Sequence, residues 1–361
     1  MRIGVPKEIK VHEYRVGLVP ASVRELTARG HRVLVEQGAG AGVGYDDAAY
    51  AGAGATVVPD APSAWGADLV VKVKEPQPVE FPYLRPDLTL FTYLHLAPDP
   101  RQAKALVASG CTALAYETVT DANGGLPLLA PMSAVAGRMA VQVGAHWLER
   151  AQGGRGVLLG GVPGVPAAHV VILGAGVVGS HATRIAVGLG AEVTVLDLSL
   201  PKLEALDREY PGRVRTVAAT QETIEAYTIR ADLLIGAVLV PGAAAPRLVS
   251  RELVQHMKNG SVVVDVAIDQ GGCVETSHPT THADPTYVVD GVIHYGVANM
   301  PGAVPRTSAQ ALNNATRPFV LALADKGWQQ AIQDDAHLAR GLNVAGHRIT
   351  HPTVAAALAG T

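Results

Sequence analysis

Gly174, Gly176 and Gly179 stand in G-x-G-x-x-G spacing directly after an apolar β-branched run, Val170, Val171 and Ile172. A helix-like segment and a second apolar run, 193–196, follow, and that run ends at Asp197. Gly174 would allow the tight strand-to-helix turn, Gly176 would let the backbone approach a pyrophosphate, and Gly179 would let helix and strand pack closely. Val178 lies inside the same turn, whose free N–H groups would face an anion. Asp197 falls about 20 residues on, where a carboxylate accepts hydrogen bonds from a ribose diol. The glycines alone would also fit a ligand-free turn. Strand, glycines, helix, strand and acid in order predict a dinucleotide site, with NAD the expected cofactor.

Four further polar side chains leave the ends of strand-like runs. Arg15 lies in the loop after the first, Lys74 ends VVKVKEP, His95 ends LFTYLHL, and Asp269 follows VVVDVA. Arginine can clamp a carboxylate through two hydrogen bonds, lysine can hold a carbonyl or carboxylate, and histidine moves protons near neutral pH. An aspartate beside a nicotinamide can order a water or an amine. Taken singly, Arg15 and Lys74 read equally as solvated surface charges, and His95 as a structural histidine. Their shared placement at strand ends is what raises them.

Alternating elements must carry these residues. Strand-like runs at 2–5, 32–36, 68–74, 88–95 and 112–119 alternate with helical patterns at 20–29, 46–52 and 100–109. A long helix is expected over 133–151, then a loop over 153–167. Further strands are expected at 233–238, 261–267 and 292–295, and helices at 308–326 and 330–340. Strands alternating with helices predict an α/β chain with two doubly wound parallel sheets. The closing helices are too few for a domain of their own. The expected organisation is a Rossmann NAD-binding domain, 130–304, inserted in a substrate domain of 1–129 and 305–361. Ligands of such sheets sit beyond the strands' carboxyl ends, which makes a cleft between the two domains the expected active site.

Composition narrows the class. The 361 residues are 48% hydrophobic and only 17% charged, with a formal net charge of −3, so neither nucleic acid nor an acidic membrane surface is an expected partner. Residues 156–179 lack Asp, Glu, Lys and Arg, but Pro163, Pro166 and many glycines interrupt them. They read as a buried strand and loop rather than a membrane span. Two cysteines, Cys111 and Cys273, fit a reducing compartment. Met1-Arg2-Ile3-Gly4 enters strand-like sequence without a signal-peptide core, and a cytoplasmic protein is expected. Gly38–Gly44 lacks the fingerprint spacing and reads as a turn. Cys273, His278 and His282 hint at zinc without a fourth ligand, so no metal is expected.

Several long stretches together resemble the alanine dehydrogenase family. They include Gly4-Val5-Pro6-Lys7-Glu8 with Arg15, Lys72-Val73-Lys74-Glu75-Pro76, Phe91-Thr92-Tyr93-Leu94-His95-Leu96, Ala115-Tyr116-Glu117-Thr118, Pro131-Met132-Ser133 and Ala136-Gly137-Arg138. The fingerprint, ADLLIGAVLVPG, VDVAIDQGGCVETSHPTTH and HYGVANMPGAVPRTS continue the likeness almost to the end of the chain. The resemblance implies reversible oxidative deamination of L-alanine to pyruvate and ammonium with NAD. It implies that Arg15 and Lys74 bind the substrate carboxylate or carbonyl, that His95 is the acid/base, and that Asp269 serves the water and ammonia steps. Ser133, Asp197, Val238, Asn299, Met132 and Met300 would line the cofactor and substrate pocket, and the family is commonly hexameric. Two other readings stay open. One is the NAD(H)-binding peripheral component of a proton-translocating transhydrogenase, expected to lack the Arg15, Lys74 and His95 set; the other is a non-catalytic NAD-sensing protein.

Overall fold

The computed structural model describes residues 1–239 and 245–359; the end of the ADLLIGAVLVPG stretch lies outside them. In chain order the strands are β1 Arg2–Val5, β2 Arg32–Glu36, β3 Thr56–Val58, β4 Leu69–Val71, β5 Thr89–Thr92, β6 Thr112–Ala115, β7 His169–Leu173 and β8 Glu192–Asp197. They continue as β9 Val214–Ala218, β10 Leu233–Gly236, β11 Val262–Asp265, β12 Thr286–Val289, β13 Val292–Tyr295, β14 Leu342–Ala345 and β15 Arg348–Ile349. The chain divides into two compact units, Met1–Met132 with the residues from Val304 onward, and Ser133–Ala303.

The first unit is built on an eight-stranded sheet in the order β15-β14-β6-β5-β4-β1-β2-β3. β1 through β6 pair in parallel, so their carboxyl ends share one edge. β14 and β15 add an antiparallel margin, so the sheet is largely parallel, as the alternation of elements predicts. Val70, Leu90, Ala113 and Val344 meet Trp65 and Leu106 in one buried cluster. Each large apolar side chain so buried stabilises by about 1.5–3 kcal/mol. The helix Pro100–Ser109 begins where Asp99 accepts the Gln102 N–H and stops at Gly110 in the left-handed conformation, the start and stop signals of a short amphipathic helix. Asn313, on the helical run Pro305–Asp334, is buried and ties residues 17–22 into this unit. Its Oδ1 accepts from Val19 N–H and the Ser22 hydroxyl, and its Nδ2 donates to the Gly17 carbonyl.

The second unit carries a seven-stranded sheet in the order β12-β13-β11-β10-β7-β8-β9. It is parallel except for the β12–β13 hairpin. From β7 the chain runs outward through β8 and β9, then returns to the other side of β7 with β10, so the strand order reverses beside the glycine turn. Val171, Leu234 and Val263 align across β7, β10 and β11 and are fully buried.

Several boundaries differ from expectation. Within 68–74 the strand itself spans Leu69–Val71, with Lys72 and Val73 still bonding Phe91 and Tyr93, and 112–119 becomes a short strand followed by the 3-10 turn Tyr116–Thr118. The long helix spans Ala130–Trp147 rather than 133–151. The two closing helices join as Pro305–Asp334, broken at Gly327 with φ 75° and ψ 159°, before the short helix Ala336–Ala339.

Candidate functional site

In the first unit the sheet order decides which side chains meet. β1, β4, β5 and β6 are successive neighbours, and the loops beyond their carboxyl ends carry Arg15, Lys74, His95 and Glu117. Arg15 is 2% exposed, which removes its reading as a surface charge. Its Nε and one terminal nitrogen donate to the two oxygens of Glu13, at 2.7 and 2.5 Å, and the other terminal nitrogen lies 3.0 Å from the Met132 sulfur. Burial works to raise the Glu13 carboxyl, but the Arg15 hydrogen bonds and charge outweigh it and hold Glu13 below the ordinary range. Lys74 is half-buried. Burial first, and the Arg15 charge next, push the Lys74 ammonium down against the pull of Glu75. Two cations in a partly desolvated site have the chemistry to receive a small carboxylate.

His95 is exposed and sits in the left-handed conformation at φ 47°. Its ring lies parallel to Tyr93, with centroids 5.7 Å apart. The Tyr93 hydroxyl donates to the Leu128 carbonyl at 2.6 Å, and burial pushes its pKa up, keeping it protonated. Beneath the site, buried Lys72 bridges Glu8 and Glu80 at 3.2 and 3.0 Å. The Lys72 carbonyl accepts from the Tyr116 hydroxyl.

In the second unit Gly174 and Gly176 lie in the turn between β7 and the helix Val177–Gly188, and Val178 and Gly179 lie in that helix's first turn. Gly174 has φ 106°, and a Cβ on Gly179 would run into the Gly174 carbonyl oxygen. A Cβ on Gly176 would meet nothing within 4 Å. The protein itself therefore has no steric need for that glycine, whereas close approach of a ligand would give one. The helix has no side-chain cap at its N-terminus, which leaves its first N–H groups for an anion. Asp197 ends β8 with both oxygens engaged, accepting the N–H of Ala175 at 2.6 Å and of Ser199 at 2.7 Å. These residues fit a dinucleotide: an open glycine, an anion-receptive helix start and a fixed acid at the reversal of strand order.

The other expected residues of this unit distribute along the same carboxyl edge. Val238 follows β10, Asp269 lies exposed in the 3-10 turn Val266–Gln270 after β11, and Asn299 and buried Met300 follow β13. Buried Asp265 shapes the Asp269 segment by accepting the N–H groups of Ala267, Cys273 and Val274. Ser133, half-buried near the start of the helix Ala130–Trp147, is the first residue of this unit. The Cys273, His278 and His282 trio does not converge. Cys273 is buried against Asp265, His278 stacks on Tyr287 at 3.7 Å, and His282 bonds the Asn299 carbonyl. Among the described residues no group of three or more His, Cys, Asp or Glu could hold a metal ion. No described helix is long and apolar enough to cross a membrane.

Sequence reading assigned no role to Glu13, Glu117, Tyr93 or the Lys72 bridge. Glu13 stands two residues before Arg15, a spacing that could have flagged it; Glu117 reaches its partners only through the β5–β6 pairing.

Comparison with known proteins covers nearly the whole chain. A family model described as Alanine dehydrogenase/PNT, N-terminal domain, matches residues 4–136, and one described as Alanine dehydrogenase/PNT, C-terminal domain, matches residues 140–352. The chain is 62% identical to an alanine dehydrogenase of Halomonas elongata, over 99% of this chain and 96% of the relative. A solved L-alanine dehydrogenase superposes with a TM-score of 0.97 at 56% identity, covering 100% of this chain and 99% of the other. A transhydrogenase from Sinorhizobium meliloti gives a TM-score of 0.86 at 26% identity, over 97% and 100%. Two family models that together cover nearly every residue, and a relative of such identity along its full length, leave one conclusion: the chain belongs to the alanine dehydrogenase/PNT family.

Proposed function

We propose that the chain catalyses the reversible reaction of L-alanine, NAD and water to pyruvate, ammonium, NADH and a proton. The observation that carries this reading is the high, nearly full-length identity to proteins named alanine dehydrogenase. The clustered cations Arg15 and Lys74 supply the matching chemistry. They hold the substrate carboxylate and carbonyl, with Met132 against the guanidinium. His95 takes a proton from the reacting amine or from the water that attacks the resulting iminium, and returns it in the reverse direction. Asp269 orders that water and the departing ammonia. Gly174, Gly176, Val178, Gly179 and Asp197 bind the dinucleotide's pyrophosphate and ribose, and Ser133, Val238, Asn299 and Met300 line its pocket. When bound, NAD supplies the carbon that accepts the α-hydrogen.

The first unit is the substrate domain in this proposal and the second the NAD-binding domain, with a cytoplasmic homohexamer as the working form. The presence of Arg15, Lys74 and His95 together favours amine chemistry over the transhydrogenase reading. The deciding experiment follows absorbance of reduced cofactor against a panel of amino acids, then in reverse with pyruvate and ammonium. Turnover with L-alanine and with pyruvate plus ammonium is expected. NAD binding without turnover would sink the reading and leave the sensor.

A further inference from the structure

Each of the three proposed reactive side chains of the first unit hangs from a backbone N–H held by a different glutamate. Glu13 accepts the Arg15 N–H at 3.1 Å as well as its guanidinium. Glu8 accepts the N–H groups of Val73 and Lys74 at 2.6 and 3.3 Å, and Lys72 anchors its other oxygen. Glu117 accepts the N–H groups of His95 at 2.6 Å and of Leu94 at 3.2 Å. Buried Gln102 closes the same turn by donating to the Leu94 carbonyl. None of these pairings is a sheet hydrogen bond; all of them hold residues that lie past the ends of β1, β4 and β5.

We propose that Glu8, Glu13 and Glu117 are positioning residues that fix the strand-end backbones carrying Lys74, Arg15 and His95. The assignment of reaction roles to those three partners rests on the function proposed above. The physical need is clearest at His95. A non-glycine residue at φ 47° is disfavoured and persists only where its surroundings hold it. Successive N–H groups in such a turn form a small anion-receptive concavity, which a carboxylate fills with charge-assisted bonds. Released from Glu117, residues 94–95 would relax toward ordinary backbone angles and turn the imidazole away from its place parallel to Tyr93. A misplacement of about 1 Å in a reacting group is enough to lose about 10²-fold in rate. The arms that hold substrate would show a different signature. Loosening Lys74 weakens binding of the keto or amino acid and so raises KM more than it lowers kcat.

Glu117 and Glu8 give the test, because removing Glu13 would also strip a buried guanidinium of its partner. Steady-state turnover, melting temperature and hydrogen exchange are compared for the wild type, Glu117→Ala, Glu117→Gln, Glu117→Asp and Glu8→Ala. Glu117→Ala is expected to lower kcat by about 10²-fold with a small change in KM for alanine. Glu117→Gln keeps an acceptor oxygen and should recover kcat to within about threefold. Glu117→Asp keeps the charge but withdraws it by about 1.5 Å, and should lose about tenfold. Glu8→Ala leaves Lys72 paired with Glu80 and should raise KM for pyruvate about tenfold at similar kcat. Exchange of the segment containing residues 94–95 should quicken in Glu117→Ala while the NAD-binding unit is unchanged. Near-wild-type kcat in both Glu117→Ala and Glu117→Asp, equal losses in Glu117→Gln and Glu117→Ala, an unchanged KM in Glu8→Ala, or unchanged exchange at residues 94–95 would each overturn the proposal. Absence of wild-type turnover with alanine sinks the functional reading instead, and the exchange comparison still decides the backbone claim.

Discussion

A buried guanidinium facing a buried carboxylate makes Arg15 a stability residue as well as a proposed binding residue. Removing one member of such a pair strands the other's charge, at about 3–5 kcal/mol. Arg15→Ala should therefore both abolish turnover and lower urea stability by that amount, because Glu13 is fully buried beside it. The double variant Arg15→Met, Glu13→Gln removes both charges and should regain most of the stability and none of the activity; restored turnover would mean the guanidinium does not hold substrate. Lys74 makes a pH claim. Burial and the neighbouring Arg15 charge favour its neutral form, so it loses its proton below lysine's ordinary 10.5. Oxidative deamination should rise into alkaline pH as alanine's ammonium deprotonates, then fall as Lys74 neutralises and the carboxylate loses a cation. In Lys74→Arg the falling limb should move to higher pH, since a guanidinium does not titrate there; a limb that stays put belongs to another group. Asp197, fixed by the N–H groups of Ala175 and Ser199, would repel a 2′-phosphate, and Leu198, Ser199 and Leu200 bring no cation. NAD should exceed NADP by at least ~10²-fold in kcat/KM, roughly 2.7 kcal/mol; equal rates would mean the carboxylate does not meet the ribose. The placement of Arg15, Lys74, His95 and Asp197 at or beyond strand ends was legible, because polar groups that follow apolar β-branched runs stand out in sequence. Glu117 was not, since what it holds lies more than twenty residues away and meets it only through strand pairing.

At the level of elements, the glycine turn between β7 and its helix separates folding from binding. Gly179 packs against the Gly174 carbonyl, and an added methyl there has no room. Gly179→Ala should cost about 1–3 kcal/mol of stability, by overpacking, along with NAD affinity. Gly176→Ala points into open space at an ordinary φ of −73°. Its stability cost should stay below about 1 kcal/mol, the usual loss on placing alanine at a helix start, while the KM for NAD rises. Thermal melts beside NAD titrations read both, and equal behaviour of the two variants would contradict a ligand above Gly176. The fingerprint unit was readable because its β-branched strand, glycines and helix are contiguous and locally consistent. Elsewhere the apolar pattern overran the pairing: at 68–74 the extended chain continues past β4, but beyond it Lys72 turns to Glu8 and Glu80. The β14–β15 pair was missed because two short strands at a sheet margin carry little periodic signal. Their place beside β6 is fixed only by tertiary contacts.

For the whole molecule, the order of the chain bears on what can fold alone. Ser133–Ala303 holds all seven strands of its sheet and the complete glycine turn without borrowing from the rest of the sequence. A fragment of about residues 130–304 should therefore fold and bind NAD by itself, since its sheet and fingerprint are contiguous. Binding to the folded form alone raises stability by about 2.7 kcal/mol at a hundredfold excess over Kd, and the fragment's melting temperature should climb with NAD accordingly. The first unit is different, because its sheet is completed by chain that returns after residue 304. Without β14 the edge of β6 loses its ladder, and Val344 leaves the cluster around Trp65 and Leu106. Without Asn313 the Val19 N–H, the Ser22 hydroxyl and the Gly17 carbonyl all lose a buried partner; each group left unsatisfied costs about 1–3 kcal/mol, against a typical total of about 5–15 kcal/mol for a domain. Residues 1–129 alone should aggregate or stay molten, and adding residues 305–361 in trans should restore a cooperative melt. A soluble, cooperatively melting 1–129 would mean that the returning segment is dispensable for folding and that the buried Asn313 contacts contribute little to it.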